Sequence, residues 1–324
     1  MFSAFCRRLL KPAATATTTL LCCAHMAEGG GLFGYGDPLL RSFEGLHVKC
    51  RATNIPYLRS QPPVYRQLVA DDCVSWSTHR IPYDPPDYTD PSMGGRAYFD
   101  EDVHTSRPKW NQLDGRIDRR SFMGRYEIEP VTKRPLNPMG RTGLRGHGVL
   151  GRWGPNHAAD PIVTRWKRHS DGSRVHERGK PMLQFVAIER GDTGQWAIPG
   201  GMVDPGEPLS QTLRREFSEE AFNSMKMSDA EKQKLEQELK QFFKRGVLVY
   251  RGYVDDPRNT DNAWMETQAV NYHDDDGTVV GRFNLVAGDD AVGVRWMDIS
   301  SKLVLYASHR RFVLAVAEYR GANI

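Results

Sequence analysis

Hydrophobic and polar positions follow a regular pattern only in the second half of the chain. Helical spacing predicts two helices, over residues 228–244 and 308–319, and the first opens with a Ser-x-x-Glu capping box. Leu209, Leu213 and Phe217 recur every four residues and indicate a third helix. Short apolar runs predict strands over residues 161–167, 183–190, 247–254, 264–272 and 292–299. Strands interleaved with helices favour the α/β class, as an α/β/α sandwich on a mixed sheet.

The first half of the chain has a different composition and little periodicity. Residues 28–42 are glycine-rich and read as a linker, since no predicted strand precedes them. The region that follows, residues 43–145, is rich in Pro, Asp, Arg and Tyr and gives no clear strand or helix pattern. We therefore predict a smaller N-terminal domain over 43–145, of unassigned fold, and a regular domain over 146–324.

Glycine and arginine are concentrated where these two predicted domains meet. Residues 146–151 match the spacing of a dinucleotide-binding fingerprint, but a Pro- and Arg-rich stretch precedes them instead of a strand, so that interpretation fails. Two interpretations remain for this junction. It is a structured hinge, or it contacts an anionic ligand through Arg141, Arg152 and exposed backbone N–H groups.

The first 27 residues have the composition of a targeting segment. They contain Arg7, Arg8 and Lys11, no acidic residue, and many Ser, Thr and Ala. This composition predicts a mitochondrial transit peptide over residues 1–27 and a location in the matrix. A secretory signal is the alternative, which the threonines in its apolar stretch weaken. A start at Met26 would omit the leader and give a cytosolic form.

Composition excludes several classes of partner. The net charge of the 324-residue chain is +4, and three of the basic residues lie in the leader, so the rest is nearly neutral and gives no argument for nucleic acid. No apolar run reaches the length that spans a bilayer. Beyond the leader only Cys50 and Cys73 remain, which predicts neither a disulfide framework nor a zinc site. We expect a monomer that acts on a small molecule, without a nucleic-acid or membrane partner.

Three glutamates carry the strongest chemical signal. Glu216, Glu219 and Glu220 stand at i, i+3 and i+4, so one helix places them on the same face. Like charges at this spacing destabilise a helix unless a cation binds between them. Carboxylate oxygens suit Mg²⁺, Mn²⁺ or Ca²⁺ rather than zinc or copper. The alternative is a solvated acidic surface.

The residues before this helix favour a site over a solvated surface. Gly200 and Gly201 form a tight turn where the backbone can approach a ligand closely. Glu207 and Arg215 are spaced to flank the junction between loop and helix. Leu213 and Phe217 give the helix an apolar stripe, so it can pack on a core while its carboxylates face a cleft.

Residues 201–223 resemble the Nudix box, Gly-x5-Glu-x7-Arg-Glu-U-x-Glu-Glu-x-Gly-U, where U is a bulky apolar residue. The chain departs from the pattern at its end, where Phe222 replaces glycine and Asn223 replaces the apolar residue. The matching residues are Gly201, Glu207, Arg215, Glu216, Phe217, Glu219 and Glu220. The resemblance implies a hydrolase of nucleoside-diphosphate-linked compounds with the α/β/α sandwich fold. It also implies that Glu216, Glu219 and Glu220 hold Mg²⁺, or Mn²⁺, and that Glu207 pairs with Arg215.

Segments outside the box resemble the Nudix hydrolases that cleave ADP-ribose, and also the ADP-ribose-sensing domain of melastatin-type TRP channels. The resemblance is close from residue 140 to the last helix and implies hydrolysis of ADP-ribose to AMP and ribose 5-phosphate. A sensor that binds ADP-ribose without cleaving it, or a hydrolase of another nucleoside diphosphate derivative, is the alternative. The intact acidic face favours an enzyme.

The same resemblance implies which residues contact the substrate. Asp256 and Arg258 would bind the ligand, with Leu305 and His309 in the same pocket. The turn glycines Gly200 and Gly201 and the motif residue Asn156 are further candidates for substrate contacts. The general base stays open among Glu266, on a predicted strand, Glu220, and Asp289 or Asp290 in a glycine-flanked loop.

Overall fold

The computed structural model describes residues 47–79, 82–191, 193–208, 211–212, 214–215, 217–218, 228–282, 285 and 293–324. The helices are α1 (Val103–Ser106), α2 (Asp229–Phe242) and α3 (His309–Tyr319), and residues 211–212, 214–215 and 217–218 are also helical and are called the box helix here. The strands are β1 (Asp87–Thr89), β2 (Leu113–Asp114), β3 (Ile117–Asp118), β4 (Arg145–Gly148), β5 (Gly154–Trp166), β6 (His176–Glu177), β7 (Lys180–Pro181), β8 (Leu183–Glu189), β9 (Trp196–Ala197), β10 (Gly201–Met202), β11 (Val247–Tyr253), β12 (Ala263–Asp274) and β13 (Val294–Asp298).

A mixed sheet forms the centre of the regular half of the chain. Its strand order is β11-β12-β5-β8-β13, and β9 and β10 pair with β8 and β5. The two longest strands, β5 and β12, run parallel, while the other pairs are antiparallel. β5 and β12 are buried along almost their whole length, as expected for central strands covered on both faces.

Helices cover both faces of this sheet, which confirms the sandwich. On one face Phe217 of the box helix and Leu235 and Leu239 of α2 pack with Val163 and Val186. On the other, α3 contributes an apolar stripe to a cluster around β5, β8 and β11 that includes Ile162, Phe185, Val249, Phe312, Val313 and Val316. α2 begins at the predicted capping box, where Ser228 and Glu231 bond to each other's backbone N–H groups.

The strand that differs most from its prediction is β5, which begins at Gly154, seven residues before the expected start. The N-terminal half of β5 carries Asn156 and Asp160, which interrupt the apolar pattern. Both are buried and hydrogen-bonded: Asp160 accepts from the Thr267 hydroxyl at 2.6 Å. A buried polar side chain with partners fits a central strand, but periodicity cannot distinguish it from a loop residue.

Polar contacts attach the N-terminal region to the sandwich, beside an apolar cluster in which Tyr126 packs with Tyr253 and Trp264. β1 pairs with β4, and β2 and β3 form a small hairpin, but most of residues 47–143 are loops. Buried Asp255 accepts hydrogen bonds from the backbone N–H groups of Lys49 (2.8 Å) and Cys50 (3.0 Å). Buried Asp261 accepts from the Tyr83 hydroxyl (2.5 Å) and the Thr142 N–H (2.7 Å). Because most of the region is loop, it has no regular hydrophobic period.

Within the described part of the chain, every helix is too short or too polar to cross a bilayer.

Candidate active site

The glycine turn lies unusually close to the central strand. Gly201 and Met202 pair with Ala159 and Ala158 of β5. A Cβ atom on Gly200 would stand 2.3 Å from Oδ1 of Asp160 and 2.9 Å from the Ala159 carbonyl oxygen, so a larger residue would clash. Glycine therefore fixes the position at which the chain enters the loop before the box helix.

Glu207 and Arg215 form the ion pair that the box pattern predicts. The guanidinium donates from Nε to Oε1 (3.2 Å) and from Nη2 to Oε2 (3.1 Å), and the Thr212 hydroxyl donates to Oε2 (2.8 Å). The Glu207 side chain is 7% exposed. Burial alone would raise the pKa of Glu207, but the donors from Arg215 and Thr212 outweigh it and hold the pKa below its usual value. The pair joins the loop to the first turn of the helix.

The three glutamates expected to hold the metal, Glu216, Glu219 and Glu220, lie outside the described residues, as do Asp289 and Asp290. Their roles stay predictions. Among neighbours that are described, Phe217 is fully buried in the core and Arg215 is fixed by Glu207. The box helix is therefore anchored to the sheet on one side and to the loop on the other.

A cleft of about 770 Å³ lies between the N-terminal region and the box loop. One wall is the loop of residues 202–208, and the opposite wall comes from the β2–β3 hairpin and from Phe122. The two walls approach each other where a Cβ on Gly206 would lie 3.1 Å from Nε of Arg116. Further lining residues come from the sheet and the loop after β11: Asn156, His157, Arg251, Arg258 and Gln268.

Asp256 and Arg258 form a second ion pair, and Arg258 lines this cleft. Nε and Nη2 of Arg258 each donate to one carboxylate oxygen at 2.8 Å, and the Arg258 backbone N–H donates to Oδ1 at 2.9 Å. Asp256 is 2% exposed and the Arg258 side chain 28%. Burial acts against both charges, but the pair outweighs it, so the pKa of Asp256 falls and that of Arg258 rises. Both groups stay charged, with part of the guanidinium open to a ligand.

His309, the first residue of α3, connects that helix to the glycine turn. Its Nδ1 accepts a hydrogen bond from the Ile198 N–H at 2.9 Å, which requires a neutral ring protonated on Nε2. Burial and the nearby charge of Arg190 lower the pKa of His309 to about 3, which favours this neutral form. Leu305 belongs to the apolar cluster under α3, and Tyr306 between them approaches Oδ2 of Asp256 with its hydroxyl, at 3.4 Å.

Asn156 is placed at the cleft, but its amide is fully engaged. Oδ1 accepts from the Arg152 N–H at 2.9 Å, and Nδ2 donates to the carbonyls of Arg152 (2.8 Å) and Gly154 (3.1 Å). It holds the turn before β5. The two arginines proposed for anion contact are also engaged: Arg141 donates to backbone carbonyls, among them that of Cys73, and Arg152 pairs with Asp100. The structure favours the hinge interpretation of this segment.

Glu266 is enclosed rather than open to a ligand. It is 0% exposed, and its oxygens accept from the Ser121 hydroxyl (2.5 Å), the Phe122 N–H (2.6 Å) and the Trp264 indole (2.7 Å). Donors from the N-terminal region thus occupy a carboxylate of β12. This geometry gives Glu266 a bracing role and argues against it as the general base.

The sequence did not single out Arg251 of β11, although a charge within an apolar strand was an available signal. Its guanidinium lies 4.4 Å from the ring centre of Phe122, and within the described part of the chain its buried Nε has no hydrogen-bond partner. The buried Nε2 of His157 also has no hydrogen-bond partner within the described part of the chain, and it lies 3.8 Å from Oε2 of Glu266. Both Arg251 and His157 line the cleft.

Comparisons with known proteins agree with this arrangement. A family model described as "NUDT9-like, N-terminal domain" matches residues 69–154, and one described as "NUDIX domain" matches residues 176–315. A protein of Rattus norvegicus named "ADP-ribose pyrophosphatase, mitochondrial" is 53% identical over 86% of this chain and 79% of its own length. "Putative nudix hydrolase 6" of Caenorhabditis elegans is 48% identical over 83% and 95%. A "Transient receptor potential cation channel subfamily M member-like 2" of Nematostella vectensis is 46% identical over 86% of this chain but 18% of its own length.

The bracing role of Glu266 is open to a direct test. In Glu266→Gln the new amide must turn its NH₂ group towards at least one of the three donors, so we expect the free energy of unfolding to fall by about 1–3 kcal/mol while kcat changes less than about tenfold. Denaturant unfolding and steady-state kinetics check this, with the exposed Glu127→Gln as control. A loss of about 10²- to 10⁴-fold in kcat at unchanged stability would restore Glu266 as the base.

Proposed function

This chain belongs to the Nudix hydrolase family, and on that premise we propose that it hydrolyses the pyrophosphate of ADP-ribose to AMP and ribose 5-phosphate. The observation that carries the proposal is the position of Arg258. Its guanidinium lines the same cleft as the box loop of residues 202–208. A ligand with a diphosphate at the box and a second polar group at Arg258 would fill both ends. The rat relative, whose name gives ADP-ribose as substrate, supports this choice.

The charge of the cleft suits a diphosphate. Arginines contribute five of its lining side chains, against three acidic ones. Glu207 and Asp118 pair with Arg215 and Arg120, and Arg152 and Arg258 pair with Asp100 and Asp256. The arginines are Arg59, Arg116, Arg152, Arg251 and Arg258. Guanidinium groups bind phosphate oxygens through paired N–H donors. The volume also falls in the range of about 300–1,000 Å³ that is usual for small-molecule sites.

Nudix hydrolases generally need a divalent metal, and we propose Mg²⁺ here, with Mn²⁺ as a substitute. Within the described ranges no group of three His, Cys, Asp or Glu side chains is placed to hold an ion. We propose Glu216, Glu219 and Glu220 as its ligands, on their helical spacing and the resemblance to the Nudix box, and their oxygen atoms suit this metal. When bound, the metal neutralises negative charge on the pyrophosphate oxygens.

The chain's own residues orient the substrate and the box. Glu207 and Arg215 hold the box helix against its loop, and His309 holds the glycine turn through Ile198. Arg258, fixed by Asp256, would donate to the substrate end far from the box. With Glu266 enclosed, we place the general base among Glu220, Asp289 and Asp290.

We propose that the protein acts in the mitochondrial matrix, with a cytosolic form that starts at Met26. The rat relative carries "mitochondrial" in its name, and residues 1–27 have the composition of a transit peptide. Residues 1–27 fused to a fluorescent reporter should carry it into mitochondria, while the full chain started at Met26 should stay in the cytosol. Delivery of the first fusion to the secretory pathway would contradict the assignment.

Hydrolysis should depend on added metal and on the box glutamates. We expect Mg²⁺-supported conversion of ADP-ribose to AMP and ribose 5-phosphate, with NAD and nucleoside triphosphates far poorer substrates. Glu220→Gln should lower kcat by about 10²-fold or more, because a ligand of the metal or the base is lost, and should leave ADP-ribose binding measurable. Product analysis by chromatography checks both statements.

Three outcomes decide between the alternatives. Binding of ADP-ribose without any turnover by the wild-type chain would indicate a sensor. If kcat/KM for NAD or a nucleoside triphosphate equalled that for ADP-ribose, the chain would still be a Nudix hydrolase, but the assignment of ADP-ribose as its substrate would be wrong. Full activity in chelator and in Glu220→Gln would remove the metal assignment.

A further inference from the structure

The loop that carries Asp256 and Arg258 is held from behind by two side chains of the N-terminal region. Nη2 of Arg66 donates to the carbonyl oxygens of Pro257 (2.8 Å) and Asn259 (2.7 Å). The Tyr57 hydroxyl donates to the carbonyl oxygen of Arg258 at 2.7 Å. Three consecutive carbonyls of one short loop therefore bond to residues about 200 positions earlier in the chain.

Both side chains are buried and have few other roles. Tyr57 is 5% and Arg66 7% exposed, and the guanidinium carbon lies 5.1 Å from the Tyr57 ring centre. The further bonds are from Nη1 of Arg66 to the Thr142 carbonyl (3.3 Å) and from the Val149 N–H to the Tyr57 oxygen (3.0 Å).

Arg66 is a buried cation that bonds to carbonyls in place of a carboxylate. Among the described residues no carboxylate oxygen lies within 4.0 Å of its guanidinium nitrogens. Burying a charge without an ion-pair partner is costly, and replacing it by an apolar residue is often neutral or stabilising. A buried Arg66 is worth this cost if it holds the loop of residues 256–259 in the exact shape that ligand binding requires.

Resting on the proposed function, we propose that Tyr57 and Arg66 are positioning residues that fix the Asp256–Arg258 pair in its ligand-binding geometry. The Arg258 backbone is held at both ends, its N–H by Asp256 and its carbonyl by Tyr57. Because the loop backbone is already fixed, it does not have to become ordered when the substrate binds. The entropic cost of binding is therefore smaller, and the guanidinium is already placed to contact the substrate.

The test compares two hydroxyl deletions that both remove a contact between the N-terminal region and the sandwich. Tyr57→Phe removes the donor to Arg258. Tyr83→Phe is the matched control, since the Tyr83 hydroxyl donates to buried Asp261 and accepts from the Gly143 N–H, outside residues 256–259. Melting temperature, kcat and KM for ADP-ribose with Mg²⁺, and calorimetric Kd for ADP-ribose in chelator are measured for both.

We expect Tyr57→Phe to raise KM and Kd by about five- to twentyfold, the effect of one buried hydrogen bond, with kcat within about twofold of wild type. Tyr83→Phe should lower the melting temperature to a similar degree and leave KM unchanged. In an Arg258→Ala background, Tyr57→Phe should no longer raise KM, because its effect acts through Arg258. Arg66→Lys, which keeps the charge but loses the fork that bridges two carbonyls, should resemble Tyr57→Phe.

Equal KM changes in Tyr57→Phe and Tyr83→Phe, or an undiminished change in the Arg258→Ala background, would overturn the positioning role. Binding of ADP-ribose by the wild-type chain without hydrolysis would overturn the proposed activity alone. The Kd comparison then decides the positioning role by itself.

Discussion

Buried carboxylates on one stretch of chain, residues 253–266, determine how this protein is built. A carboxylate taken out of water must be paired or hydrogen-bonded, and residues of the N-terminal region supply donors to three of the four buried acids there. Despite those donors, burial raises the pKa of Asp255 and of Asp261, which shows how strongly the interior opposes their charge. The acids and their N-terminal donors are Asp255 with Lys49 and Cys50, Asp261 with Tyr83 and Thr142, and Glu266 with Ser121 and Phe122.

The fourth buried acid, Asp256, pairs with Arg258, which lines the cleft. The contacts of Asp255 and Asp261 attach the chain before and after this pair to the N-terminal region, while Tyr57 and Arg66 bond to residues 257–259 themselves. The sandwich therefore supplies the box and the sheet, while the N-terminal region supplies one wall of the cleft and the support of the loop opposite the box. Residues of the N-terminal region such as Arg116 and Phe122 line the cleft, so this region forms part of the candidate site.

Sequence reasoning worked where a residue's role depends on its near neighbours. Periodicity and a capping box predicted β8, β11, β12, β13, α2 and α3, and the resemblance to the Nudix box implied the Glu207–Arg215 pair. It failed where the partner is distant in the chain. Glu266 was read as a candidate base because its partners Ser121 and Phe122 are about 145 residues away. Tyr57 and Arg66 gave no signal for the same reason.

We expect the N-terminal region and the loop of residues 254–262 to open as one cooperative unit. Native-state hydrogen exchange in increasing urea, followed by mass spectrometry, measures the opening free energy of each segment. The amides of Lys49, Cys50 and Thr142 should open with the same free energy and urea dependence as those of Arg258 and Asn259. Exchange of the N-terminal amides at a clearly lower free energy, with the loop still protected, would contradict it.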